Sequence, residues 1–130
     1  MVKFGIKGLN VWFGPVHALK QVNMEIQANE ILSAIGPSNS GKTTFLRMLN
    51  RLNDLNQNFR MNGEVQLEKE DIKNIDTESL RKRVGMVFAL PLPLPLSIFD
   101  NVAYGGRMHG TKNKKILQAL IKKWLKILDR

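Results

Sequence analysis

The residues best suited to chemistry are Gly36-Pro37-Ser38-Asn39-Ser40-Gly41-Lys42-Thr43-Thr44. Glycine, four intervening residues, then Gly-Lys-Thr is the spacing of a phosphate-binding P-loop. A nucleoside triphosphate presents crowded anionic oxygens, and a loop that holds it has to wrap them with backbone N–H groups. Gly36 and Gly41 permit backbone angles and close approach that a Cβ would block. The amides from about Asn39 to Thr44 then point inward, with Ser38 and Ser40 in the same cradle, aided by the positive end of the helix that begins there. Lys42 reaches the β- and γ-phosphates as a point charge, and the Thr43 hydroxyl is the expected magnesium ligand. The segment therefore predicts binding of ATP with Mg2+. A chance match in a ligand-free loop is the bland alternative, and the surrounding elements weigh against it.

Those elements are a strand before the loop and a helix after it. Ile31 to Ile35 is a short apolar run suited to a fully buried strand. Thr43 to Leu52 sets Phe45, Leu46, Leu49 and Leu52 at helical spacing. Upstream, Val2, Phe4 and Ile6 alternate with polar residues, as do Val22, Met24 and Ile26, so two half-buried strands are expected on either side of a break at Gly14-Pro15. Ala28-Asn29-Glu30 reads as a turn, and the Asn-rich stretch 53–62 as a loop. Val65 and Leu67 mark another strand, and Asp76 can cap a short helix over Thr77 to Lys82. Val84 to Phe88 is a second candidate buried strand. It runs into Leu90-Pro91-Leu92-Pro93-Leu94-Pro95-Leu96, whose prolines favour an extended path outside any sheet. Ser97 is placed to cap a helix containing Ile98, Phe99 and Val102. A last helix runs from Lys112 to about Asp129, with an apolar stripe of Leu117, Leu120, Ile121, Trp124, Leu125 and Leu128 against a lysine-rich face.

At 130 residues and 43% hydrophobic content, the chain has room for one modest globular domain. No apolar run approaches the roughly 20 residues needed to cross a bilayer. The N-terminus lacks a signal-peptide core, and cysteine is absent, which excludes disulfides, thiolate chemistry and Cys-based zinc sites. These features together predict a cytoplasmic protein. The net charge of +9 is uneven: Arg107 to Arg130 holds eight Lys or Arg and one acid, +7, leaving +2 for the first 106 residues. Such a stretch is a solvated helix face first, and a surface for anionic membranes or nucleic acid second. His17 and His109 are isolated and read as surface residues.

The chain also resembles the ATP-binding subunits of ABC transporters. The likeness begins with 11–14 (VWFG), 18–22 (ALKQV) and the P-loop. Within that family, 50–54 (NRLND), 63–65 (GEV), 80–88 (LRKRVGMVF), 97–105 (SIFDNVAYG) and His109-Gly110 are similar to the phosphate-import subunit. The resemblance implies an α/β P-loop NTPase nucleotide-binding domain of ABC type, incomplete here. Its parts would be an antiparallel β region over 1–30, a P-loop core over 31–90 and the start of a helical subdomain over 91–130. It implies that Phe13 stacks on adenine, with Trp12 as the alternative, and base stacking of this kind is worth roughly 1–3 kcal/mol. The implied partners are ATP, a second copy of the full-length subunit and membrane-spanning permease subunits of an importer. Nucleic acid is not among them, and the location is peripheral on the inner face of the cell membrane.

Three positions depart from the family. Ala89 stands where a glutamine helps hold magnesium and water, and a methyl can do neither. The leucine-rich tract 90–96 replaces a mixed polar loop. The P-loop reads Ser-Asn-Ser-Gly-Lys-Thr where Ser-Gly-Cys-Gly-Lys-Ser is usual. The family's signature segment, catalytic glutamate and switch histidine all lie beyond the equivalent of Arg130. The expectation is thus a nucleotide binder that does not hydrolyse ATP alone, with no catalytic residue assigned. Apolar strands such as Ile31 to Ile35 are expected to present an unpaired edge, because in a doubly wound sheet their neighbours come from that missing half. Two other readings are a non-catalytic nucleotide-binding or interaction fragment, and a basic nucleic-acid or membrane-surface binder using 107–130.

Overall fold

Alternating apolar residues build a long hairpin in the computed structural model, which describes residues 1–128. Strand β1 (Val2–Phe13) pairs antiparallel with β2 (Val16–Gln27), joined by the tight turn at Gly14-Pro15. Strand β3 (Phe59–Leu67) pairs antiparallel on the other side of β1, and the short β4 (Glu70–Asp71) follows it, giving the order β2-β1-β3-β4. Apolar residues meet across the strands: Phe4 faces Ile26 and Leu67, Ile6 faces Met24 and Val65, and Phe13 faces Val16 and Phe59. One sheet face thus becomes a core of Phe4, Ile6, Leu9, Val11, Val65 and Leu67, closed by Phe45, Met48, Ile72 and Leu80.

The helix after the P-loop, α1 (Lys42–Met48), is shorter than its apolar spacing suggests, and a turn leads into a 3-10 segment, Leu52–Leu55. Two side chains secure this region. Buried Asn53 donates to the Thr44 carbonyl at 2.9 Å. Arg81, from α2 (Thr77–Arg83), donates to the carbonyls of Asn50 and Arg51. The block 50–54 therefore ties α1 to α2. Asp76 caps α2 by accepting from the Ser79 amide, as its position predicts.

Neither candidate buried strand forms. Ile31 to Ile35 and Val84 to Phe88 have no strand assignment, and Ile31 and Ile35 are 98% and 95% exposed. A parallel core strand owes its hydrogen bonds and its burial to neighbours on both sides. Among the described residues no strand pairs with either run, so apolar content alone cannot order them. A groove of about 650 Å³, lined by Phe4, Ile26, Leu32, Ala34, Phe45 and Leu49, separates this segment from α1. The segment expected to present an unpaired edge is therefore coil.

Residues divide into two compact units, Met1–Met86 and Val87–Arg130. The second contains α3 (Ile98–Met108) and α4 (Lys114–Leu128). Ser97 caps α3 by accepting from the Asp100 amide, while its own hydroxyl donates to the Asp100 carboxylate at 2.6 Å. Asn113 accepts from the amides of Lys115 and Ile116 at the start of α4. Ala103, Leu117 and Ile121 are buried together, with Phe99, Val102 and Trp124 around them. Leu120 is half-buried and Leu125 exposed. The predicted helix end at Asp129 and the Leu128 side chain lie outside the described residues. No helix among the described residues is long and apolar enough to cross a membrane.

Candidate functional site

Within the first unit, the loop 36–44 and the end of the β1–β2 hairpin line one cleft of about 690 Å³. Ser38, Asn39, Ser40, Gly41, Lys42, Thr43 and Thr44 form one wall, and Phe13, Val16, His17 and Ala18 form the other. The sequence placed Phe13 and the loop at one site only through resemblance, and the fold brings them together. Gly36 sits behind this wall, close enough that an added Cβ would meet the Ser40 hydroxyl at 3.0 Å.

The loop's shape follows from its residues. Asn39 has φ 61°, in the left-handed region that asparagine tolerates better than most side chains. Its replacement of the usual glycine therefore keeps the backbone path. Gly41 has φ 90°, and an added Cβ would lie 2.8 Å from Leu19 Cδ2 and 2.9 Å from the Ala18 carbonyl oxygen. That close approach seats the loop on β2. The Lys42 ammonium curls back and donates to the Gly36 carbonyl at 2.7 Å, the Pro37 carbonyl at 2.6 Å and the Ser40 hydroxyl at 3.0 Å. Its three donors thus brace the loop, and an anion entering the cleft would exchange with those oxygens.

The start of α1 is chemically distinct from the other helix starts. Asp76, Ser97 and Asn113 cap α2, α3 and α4, whereas Gly41 supplies α1 with no side-chain cap. The first intrahelical bond runs from Phe45 N–H to the Gly41 carbonyl, which leaves the amides of Lys42, Thr43 and Thr44 available to an external acceptor. Lys42 is the cleft's one charged residue, and no carboxylate lines it. The lining is therefore complementary to an anion.

Across the cleft Phe13 is half-buried and tilts against Phe59, with ring centroids 5.9 Å apart. Trp12 is not among the residues lining the cleft: it stacks on His17 at 4.5 Å, and the Arg60 guanidinium lies 4.8 Å from its ring centre. His17 is not the surface residue its isolation in the sequence suggests. It is half-buried, because cross-strand pairing sets it against Trp12 and its Nε2 lies 3.1 Å from the Oδ1 of buried Asn10. His109 is exposed, as expected, and Ala89 is exposed. Val16, His17 and Ala18 were missed as cleft residues. The one available signal was their place directly after the Phe13-Gly14-Pro15 turn.

Magnesium suits this lining. Mg2+ takes most of its ligands from water and phosphate and few from protein, and Thr43 offers an exposed hydroxyl at the cleft. No group of three or more His, Asp or Glu able to hold a metal by itself occurs among the described residues.

Comparison with known proteins bears on fold and family. The family model described as ABC transporter matches residues 19–129. An ATP-binding cassette in a dimeric post-hydrolysis state with ADP and Pi is similar at TM-score 0.76 and 26% identity, over 97% of this chain and 57% of that one. A bacterial Atm1-family ABC exporter with ATP bound has the same fold at TM-score 0.69 and 23% identity, over 80% of this chain and 18% of that one. The chain thus spans little more than half the length of the first and under a fifth of the second. It carries the P-loop NTPase fold of ABC type, with the antiparallel sheet and C-terminal helices expected of its N-terminal part. By the extent of the family match, the chain belongs to the ABC transporter family.

Proposed function

We propose that this chain binds ATP with Mg2+ in the cleft between the loop 36–44 and the hairpin end, as part of an ATP-binding subunit that powers inorganic phosphate import. The single observation that carries the reading is the shared cleft: an aromatic ring on one wall, and a cationic, uncapped loop on the other. The amides of Lys42, Thr43 and Thr44 and the Lys42 ammonium would hold the phosphates. The Ser38, Asn39 and Ser40 stretch shapes the loop around them, and Gly36 and Gly41 let the backbone approach. Phe13 would lie against adenine, with Phe59 behind it. Thr43 would hold magnesium, whose charge offsets that of the phosphates when bound.

Inorganic phosphate as cargo rests on the blocks 50–54, 80–88 and 97–105, together with membership of the family. The partners in this reading are permease subunits and a second subunit copy. The location is cytoplasmic, at the inner face of the membrane.

Titration with a fluorescent ATP analogue tests the site. Lys42→Ala should weaken binding at least about tenfold, the scale of a lost charge-assisted hydrogen bond. Equal binding by the wild-type chain and this variant sinks the reading. A second reading, nucleotide binding without turnover, is favoured by the absence of any carboxylate in the cleft. Phosphate release from ATP by the chain alone would exclude it.

A further inference from the structure

Asn39 occupies a backbone position better suited to glycine. Its φ of 61° is left-handed, where a Cβ is disfavoured and glycine meets no penalty. Asparagine enters this region most readily when its carboxamide bonds to nearby backbone. No such bond forms here. Within the loop the side-chain donor is Lys42, which reaches Gly36, Pro37 and Ser40, and among the described residues nothing engages the Asn39 carboxamide. The side chain is exposed and belongs to the lining of the cleft. The backbone thus gains nothing from this amide that glycine would not give, and the amide is free to meet a ligand.

The bonds of Lys42 locate that amide along the cleft. The ammonium stands 2.6–3.0 Å from oxygens of Gly36, Pro37 and Ser40, residues that flank Asn39 on both sides in the chain. In the nucleotide reading this ammonium meets the β- and γ-phosphates, at the far end of the molecule from the base against Phe13. Gly41, by contrast, rests on Ala18, in the hairpin wall that carries Phe13. The segment holding Asn39 would therefore border the terminal phosphate. No carboxylate in the lining competes for the amide's N–H groups.

We propose that the Asn39 carboxamide is a specificity-determining contact: Nδ2 donates to an oxygen of the terminal phosphate and so favours nucleoside triphosphates over diphosphates. The inference rests on nucleotide binding in this cleft and adds a side-chain role to a residue whose backbone shapes the loop. A diphosphate ends one group short, which leaves the amide facing water. A triphosphate replaces that water with a charged acceptor, a stronger partner for the same donor. Glycine at this position would follow the same backbone path without the discrimination.

The test is competition of unlabelled ATP and of ADP, each with Mg2+, against a fluorescent nucleotide bound to the full chain. Asn39→Gly deletes the donor and keeps the left-handed backbone accessible. It should lower the ratio of ATP to ADP affinity about tenfold, the scale of one hydrogen bond to a charged acceptor. Asn39→Asp sets a like charge beside the phosphate and should lower the ratio further. The position is exposed, and circular dichroism checks that both variants fold. An unchanged ratio in either variant overturns the proposal, whether the two affinities hold or fall together, because Asn39 then only shapes the loop. Lys42→Ala separates that failure from failure of the site. If Lys42→Ala weakens binding while Asn39→Gly keeps its ratio, the cleft reading stands and the Asn39 contact falls. Equal nucleotide binding by the wild-type chain and Lys42→Ala removes both.

Discussion

Replacing Gly41 by alanine probes the contact that seats the loop 36–44 on the sheet. Two separable costs arise there. The first is conformational: alanine at φ 90° enters the left-handed region at a cost of about 1–2 kcal/mol. The second is steric, because the new Cβ would sit 2.8 Å from Leu19 Cδ2 and 2.9 Å from the Ala18 carbonyl oxygen. The second neighbour is backbone in β2 and cannot swing aside, so overpacking adds about 1–3 kcal/mol. Gly14 supplies the control, since its φ is 56° and an added Cβ meets nothing within 4 Å. Gly14→Ala should therefore carry the conformational cost alone. Urea unfolding followed by circular dichroism reads the difference. With a slope near 1 kcal/mol per molar for a unit of this size, the Gly41→Ala midpoint should fall about 1 M or more below that of Gly14→Ala. Equal midpoints would mean that the loop does not rest on Ala18, and the shared cleft would lose its geometric basis.

The remaining predictions concern local parts of the structure. Ser97→Ala removes the cap of α3 and should cost the second unit about 1 kcal/mol, read as a lower thermal midpoint of its helical signal. Leu117→Ala empties the centre of the α3–α4 contact, where Leu117 is fully buried, and should cost about 2–5 kcal/mol, enough to melt that signal at room temperature. Three carboxylates contribute to the acid dependence of stability. Hydrogen bonds from Lys3 hold Glu68 below its ordinary range, the Ser79 amide does so for Asp76, and the Ser97 hydroxyl does so for Asp100 with help from Arg107. A carboxylate with a lowered folded pKa stabilises above its unfolded value and loses that contribution as pH falls through the folded one. Helical signal should therefore hold through neutral pH and decline only below the ordinary carboxylate range. Asp100→Asn should flatten the part of that decline belonging to α3, and an unchanged acid profile would contradict the assignment.

What the sequence made legible is what neighbouring residues decide among themselves. Asp76 and Ser97 announce helix starts because a short oxygen-bearing side chain satisfies amides two or three residues ahead, and both caps are present. The alternation at Val2-Phe4-Ile6 and Val22-Met24-Ile26 gives a hairpin because a two-residue turn returns the chain and both runs place their apolar residues against one another, through several register shifts along the strands. Ile31 to Ile35 and Val84 to Phe88 are as apolar as buried strands elsewhere, yet neither forms a strand, and Ile31, Ile35 and Val87 are almost fully exposed while Val84 is half-buried against the core. A run of β-branched and aliphatic residues codes for a strand only conditionally, and the condition is a partner far along the chain. His17 failed as a surface residue for the same reason, since Trp12 and Asn10 reach it only once β1 and β2 pair.

The loop escapes that dependence, and this explains how its shape persists beside an unformed strand. Its bonds are short-range: Lys42 bridges to Gly36, Pro37 and Ser40, and Asn39 takes the turn that a flexible backbone allows. One long-range contact then does what the core strand does not. Gly41 rests on Ala18, and Ala18 lies just past the turn that follows Phe13, so seating the loop on β2 also sets the ring opposite the lysine. The antiparallel hairpin, more than the apolar run before the loop, is therefore the element that assembles the two walls of the cleft. Substitutions in the hairpin end should disturb nucleotide affinity more than substitutions in Ile31 to Ile35, and a fluorescent-nucleotide titration of Ala18→Asp against Ile31→Asp distinguishes the two. Greater loss in Ile31→Asp would return the controlling role to the strand.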